Sequence, residues 1–214
     1  MLARSRIMTE PFNGNHDCAG AAAATPDAGS SAWIPGNRGI WVGITCIFVE
    51  FGVLFLVYFV ARAHFPDAFH DGAERLSRVA GTLITLLMVS SSFSAAASVI
   101  CMRRDERRMS LFWLVAALVL ACGYPLTKYL EIRWNLAHGV DAQAGVFVGA
   151  YYYLTLNHMV HAGWGILGML WVLVRHLTGA YTAHDHGGLE ALASYWHATD
   201  IIWLVIFPFF YVLG

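Results

Sequence analysis

The chain has 214 residues, of which 58% are hydrophobic and only 13% are charged, with a formal net charge of −1. Soluble domains carry about 25% charged residues, and one soluble core of this length could not bury so much apolar surface, which leaves the bilayer as the expected solvent. The balance offers none of the basic patch that nucleic acid requires, so nucleic acid is not an expected partner.

Residues 1–38 are polar and biased, with "AGAAAATPDAGSSA" at their centre, and read as a mobile polar tail. No continuous apolar run precedes that stretch, so a cleaved leader is not expected. "PGNRGIW" (35–41) ends the tail, and residues 39–214 form the remaining domain. Five apolar segments follow, at about 39–61, 79–101, 110–130, 145–174 and 191–213, each near the roughly 20 residues a spanning helix needs. Their continuity favours helices over the alternating pattern of barrel strands. The expected fold is therefore all-α, a polytopic bundle of five transmembrane helices. Eight of the Lys and Arg residues fall on the amino-terminal side, four of them in "RRDERR" (103–108), against five on the other. This bias predicts an amino terminus inside and a carboxyl terminus outside. The cysteines Cys18, Cys46, Cys101 and Cys122 form no C-x-x-C pair, and are expected to behave as small buried hydrophobes.

Ionisable groups inside a span cost roughly 2.5–3.5 kcal/mol each on insertion scales, so each needs a reason. Glu50 sits near the middle of the first segment, and Lys128 and Glu131 close the third. Their spacing allows an ion pair on one helical face, or a Lys128 that snorkels to the surface. In "YLTLNHMVHAG" (153–163), His158 and His161 lie one turn apart, and His197 and Asp200 repeat the spacing in the fifth segment. Two readings stay open on spacing alone. The three histidines with Asp200 or Glu50 are a nitrogen and oxygen ligand set for a metal or haem, which would make the chain a stand-alone membrane oxidoreductase. Alternatively they hydrogen-bond across helix interfaces, where Gly163, Gly165 and Gly168 allow close approach. A third possibility, a small transporter using Glu50 and Asp200, lacks the internal repeat that such proteins carry.

Other features are expected to be structural. "SSS" (90–92) and "SAAAS" (94–98) read as small-residue packing surfaces, Pro125 and Pro208 as helix kinks, and "YYY" (151–153) as an aromatic belt.

The carboxyl-terminal stretch "GGLEALASYWHATDIIWLVIFPFFYVL" (187–213) resembles the last helix of subunit III of haem–copper oxidases, with Gly188, Leu189, Glu190, Tyr195, Trp196, His197, Asp200 and Trp203 on the family's pattern. "LTLNHMVHAGWGILGM" (154–169) is similar to the family's His-x-x-His helix, through His158 and His161. "KYLEIRW" (128–134) places Glu131 on an acidic position of the family, and "WVGITCIFVEFGVLF" (41–55) places Glu50 at its intramembrane carboxylate. The chain matches the last five of the family's seven helices, as do the short members, including the NorE-type proteins associated with nitric oxide reductases. The resemblance implies a non-redox accessory subunit, catalytically silent alone, that braces a haem–copper catalytic subunit. It further implies that this chain binds no haem or copper, which the partner carries, and that membrane phospholipid lies at its flank. Under it, Glu50, Glu131, His158, His161, Glu190, Trp196, His197, Asp200 and Trp203 are structural or motif residues rather than ligands.

Overall fold

The computed structural model describes residues 38–139 and 145–213, and the expectation for the tail falls outside these. Helix α1 spans Arg38–His64, α2 Pro66–Glu74, α3 Arg78–Arg103, α4 Arg107–Ala137, α5 Val146–Leu177 and α6 Gly187–Phe207, followed by a π-helical turn over Pro208–Val212. Five of these are long and apolar enough to cross a membrane, the fifth taking in the π turn. At 1.5 Å per residue even the 26-residue α3 is about 39 Å long, more than a hydrocarbon core of about 30 Å requires.

Local chemistry sets the ends. Ser77 caps α3, accepting from the Ala80 amide at 3.3 Å. Between α3 and α4 only residues 104–106 intervene, and Asp105 turns the chain at φ +61°, a left-handed conformation that Asp tolerates better than most side chains. The two helices then pack along small residues. Ser91 Oγ donates to the Ala117 carbonyl at 2.8 Å, and Ser98 Oγ to the Ser110 carbonyl at 2.9 Å. The serine-rich stretch is a packing surface, as its composition suggests.

α6 packs against α3, α5 and α1. Half of its span window is buried, whereas for α1 the share is 22%. α1 therefore presents most of its surface to whatever surrounds the bundle.

Three differences from the expected elements matter for the site. α2 lies in what reads as a polar break; Pro66 opens it, and it buries Phe69, Gly72 and Ala73 while its charged residues face out. Gly72 sits so close against the Phe147 ring that a Cβ there would collide with it. Phe69 stacks edge-on between Tyr58 and Phe147, at 5.2 and 5.4 Å between ring centroids. The third span also runs beyond residue 130 to Ala137, because Glu131 and Asn135 face inward and continue the buried stripe of Tyr124 and Lys128. At Pro208 the last helix widens rather than kinks: the missing N–H removes one α-helical bond, and the Leu213 amide reaches the Pro208 carbonyl at 2.8 Å. The Tyr58 hydroxyl holds this turn through the Phe209 carbonyl at 2.9 Å, and Arg62 binds the Leu213 carbonyl.

Two smaller expectations are corrected. Of "YYY", only Tyr153 is exposed, while Tyr151 and Tyr152 enter the core, because three consecutive helical residues point about 100° apart. Cys46 and Cys122 face outward rather than inward, which costs little for an apolar thiol in lipid.

Candidate functional site

Most of the polar groups singled out in the spans gather in four assemblies between the helices. At the centre stands His158 of α5, with no solvent exposure. Its Nε2 lies 3.0 Å from the Thr199 carbonyl of α6, and its Nδ1 lies 2.9 Å from the Tyr124 hydroxyl of α4. A carbonyl only accepts, so Nε2 carries the proton; Nδ1 is then bare and accepts a hydrogen bond from the Tyr124 hydroxyl. Both ring nitrogens are committed, and the imidazole joins three helices.

His161, one turn on, has a different environment. Its Nδ1 lies 3.0 Å from the Asn157 carbonyl and must donate to it, which leaves Nε2 facing Glu50 Oε2 at 3.4 Å. Asn157 Nδ2 donates to the other Glu50 oxygen at 2.6 Å. Glu50, Asn157 and His161 thus form one polar group that tethers the lightly packed α1 to α5. Glu50 is 45% exposed along its side chain, open to the flank of α1.

Lys128 and Glu131 of α4 form the third assembly, and it is closed. Lys128 is fully buried rather than snorkelling. Its Nζ donates three times, to Glu131 Oε2 at 3.0 Å, to the Tyr151 hydroxyl at 2.7 Å and to the Tyr211 hydroxyl at 3.0 Å. Tyr211 spends its proton on Glu131 Oε1 at 2.7 Å, and Tyr151 donates to Tyr211 at 3.0 Å. All three ammonium protons and both phenol protons have acceptors, which is the condition for holding an ion pair in the interior. Tyr211 reaches this position because the π turn swings it inward.

At the opposite end, Arg103 of α3 donates to Glu190 Oε1 of α6 from Nη2 at 2.7 Å and from Nε at 3.2 Å, and His186 Nε2 lies 3.1 Å from the same oxygen. Nearby, Arg107 donates to the His176 carbonyl at 2.7 Å, and Ser110 meets His176 Nε2 at 3.2 Å. In the loop between α5 and α6, burial raises the Tyr181 phenol above its usual range despite the opposing charge of Arg175, so it stays neutral beside Gly188.

The remaining motif residues lie on α6, where His197 and Asp200 share Ser92 of α3 as a side-chain neighbour. His197 Nδ1 meets Ser92 Oγ of α3, and Asp200 is buried one turn further with Oδ1 unbonded within the described residues. Trp203 Nε1 donates to Thr85 Oγ1 at 3.0 Å. Trp196 lies on Gly165, where a Cβ would come within 2.7 Å of the indole; Gly163, by contrast, faces open space. Thus Glu131, His158 and Trp203 meet around one aromatic cluster with Tyr124 and Tyr211. His161 joins Glu50, and His197 stays with Ser92. The three histidines that a metal or haem needs do not converge. Among the described residues, no group of three or more His, Cys, Asp or Glu side chains gathers as ligands would. Sequence reasoning missed Tyr124, Tyr151, Asn157, Thr199 and Tyr211. Tyr124 carries a readable signal, since it precedes Lys128 by one turn on the same face.

Comparison with known proteins supplies the context. The sequence profile described as cytochrome c oxidase subunit III matches residues 77–214. The cytochrome c oxidase subunit 3 of Thermostichus vulcanus is 30% identical over 167 residues, 76% of this chain and 80% of the relative. Proteins named "Probable quinol oxidase subunit 3" from Staphylococcus haemolyticus and Staphylococcus aureus are each 23% identical over 176 residues, 82% of this chain and 88% of theirs. With the profile covering well over half of the sequence and the aligned relatives spanning most of it, the chain belongs to the cytochrome c oxidase subunit III family.

Proposed function

We propose that this chain is the non-catalytic accessory subunit of a haem–copper oxidase, a multi-pass protein of a bacterial cytoplasmic membrane that braces the catalytic subunit from the side. The observation that carries this is the family match over residues 77–214. The geometry supports it, because His158 has both nitrogens engaged and the other candidate ligands are dispersed, so these residues do not fit a haem or a metal ion. Haem and copper belong to the partner on this reading, and this chain binds neither.

Glu50, Glu131, His158, His161, Glu190, Trp196, His197, Asp200 and Trp203 then serve to fix the helices of a subunit III-like domain over residues 39–214. The relatives are named for cytochrome c and quinol oxidases, which favours an oxygen-reducing partner over a nitric-oxide-reducing one. Phospholipid lies against the exposed flank of α1, beside Glu50. The Arg103 to Arg108 end of the bundle faces the cytoplasm, on the distribution of positive charge.

Mild solubilisation of native membranes, with this chain tagged, tests the reading. A haem–copper catalytic subunit co-purifying in stoichiometric amount is the expected result. Recovery of the chain alone, together with bound haem, iron or copper in its own optical spectrum and metal analysis, would overturn it.

A further inference from the structure

Glu190, Ser194, His197, Ile201 and Leu204 follow one another at spacings of four and three residues, which places them on one face of α6. The ends of this stripe have a partner or need none. Glu190 is buried against Arg103 of α3, and Ile201 and Leu204 are apolar side chains, 50% and 44% exposed, on the outside of a membrane bundle. Its middle is polar. Ser194 and His197 are half-buried and border a groove of about 220 Å³ between α6 and α3, whose opposite wall includes Ala96, Ile100 and Arg103.

His197 lies seven residues beyond Glu190, which at 1.5 Å per residue is about 10 Å further along α6 and into the span. Ser92 Oγ of α3 holds its Nδ1 at 2.5 Å, and Asp200 shares the same serine, so the ring is anchored within the bundle. Among the described residues no hydrogen bond reaches Nε2, which is the nitrogen left for a group outside the chain. A lipid headgroup stays at the membrane surface, near Arg103. An acyl chain at the depth of His197 has no hydrogen bond to give, and an ionisable side chain turned toward lipid is costly. A neighbouring helix with a polar side chain meets the need. Spanning helices associate through small residues that let backbones approach and through hydrogen bonds across the contact. The groove offers Ala96 and Ser194 for the first and His197 for the second.

We propose, resting on the accessory role given above, that this face of α3 and α6 is the docking face for the catalytic subunit. One transmembrane helix of that subunit lies in the groove and presents a hydrogen-bonding side chain to His197 Nε2. Both walls of the groove fall within residues 77–214, the part of the chain that matches the subunit III profile, whereas α1 lies outside it. His197 then has two tasks: Nδ1 joins α6 to α3, and Nε2 joins the bundle to its partner.

Photo-crosslinking in native membranes tests the face. Benzoylphenylalanine replaces either Ile201, next on the stripe after His197, or Val119, 65% exposed on α4, a helix that lines no part of the groove. Irradiation is expected to join the chain to the catalytic subunit from position 201 and not from position 119. Absence of that cross-link at position 201, whether the probe captures lipid, a second copy of this chain or nothing, overturns the docking face, as does capture of the catalytic subunit from position 119. Ser194→Leu fills the groove and leaves the Ser92–His197 bond in place. It is expected to lower the amount of catalytic subunit recovered with the tagged chain by about fivefold or more, and unchanged recovery refutes the site. Where that variant does not accumulate, the cross-links decide. Failure of the accessory role itself looks different, because the unmodified tagged chain then brings down no catalytic subunit at all.

Discussion

Replacing Lys128 by Met is the sharpest probe of the closed polar cluster. The substitution removes three hydrogen bonds, of 3.0, 2.7 and 3.0 Å, from a side chain with no solvent exposure. What remains is the Glu131 carboxylate in the bundle interior with the Tyr211 hydroxyl as its protein donor. Breaking a buried ion pair by deleting one member costs about 3–5 kcal/mol, because the other charge stays buried without compensation. For a protein of this size that is a fall of about 6–20 °C in the unfolding midpoint, at about 2–4 °C per kcal/mol. The companion variant Lys128→Met/Glu131→Gln carries no charge and is expected to recover most of the loss, since an apolar or neutral replacement of a whole buried pair is often close to neutral. Thermal unfolding of wild type, both single variants and the double variant in mild detergent measures the coupling directly. If Lys128→Met costs less than about 1 kcal/mol, or the double variant is no more stable than the worse single one, the closed network is wrong.

Tyr124→Phe strips His158 of its Nδ1 partner while keeping the ring, and is expected to cost about 1–3 kcal/mol with no change in the metal content of the purified complex; a lost haem or metal would return His158 to the role of ligand. Gly165→Ala puts a Cβ within 2.7 Å of Trp196 and is expected to cost about 1–3 kcal/mol through overpacking, whereas Gly163→Ala meets nothing within 4 Å and is expected to be neutral or stabilising by up to about 1 kcal/mol; thermal unfolding of the two variants separates them, and equal effects would contradict the packing described. Arg103→Gln leaves Glu190 with His186 as its remaining side-chain donor of those described above and is expected to loosen the α3/α6 end, read as faster proteolysis of the loop before α6. Cysteine introduced at Arg104 is expected to react with an impermeant thiol reagent only from the cytoplasmic side, and cysteine at His138 only from the other; the reverse pattern would invert the topology.

The sequence by itself determined the five spans, because continuous apolar runs of that length have no other stable solvent and helices satisfy their own backbone in lipid. It also singled out Glu50, Glu131, His158, His161, His197 and Asp200, since an ionisable residue inside a span is visible without any structure. The resemblance in "YWHATD" and its surroundings then pointed to the family to which the chain belongs. Partners could not be read this way. Whether His158 ligates a metal or joins helices depends on what faces each ring nitrogen, and those groups, Tyr124 and Thr199, come from 34 residues upstream and 41 residues downstream. The inward Tyr211 depends on a π turn, whose extra residue per turn no apolar pattern announces. α2 escaped notice because nine residues with one buried stripe look like a polar loop until Phe147 and Tyr58 close over them. Spacing along one helix places residues on a common face; only the packing of other helices against that face decides which proton goes to which acceptor.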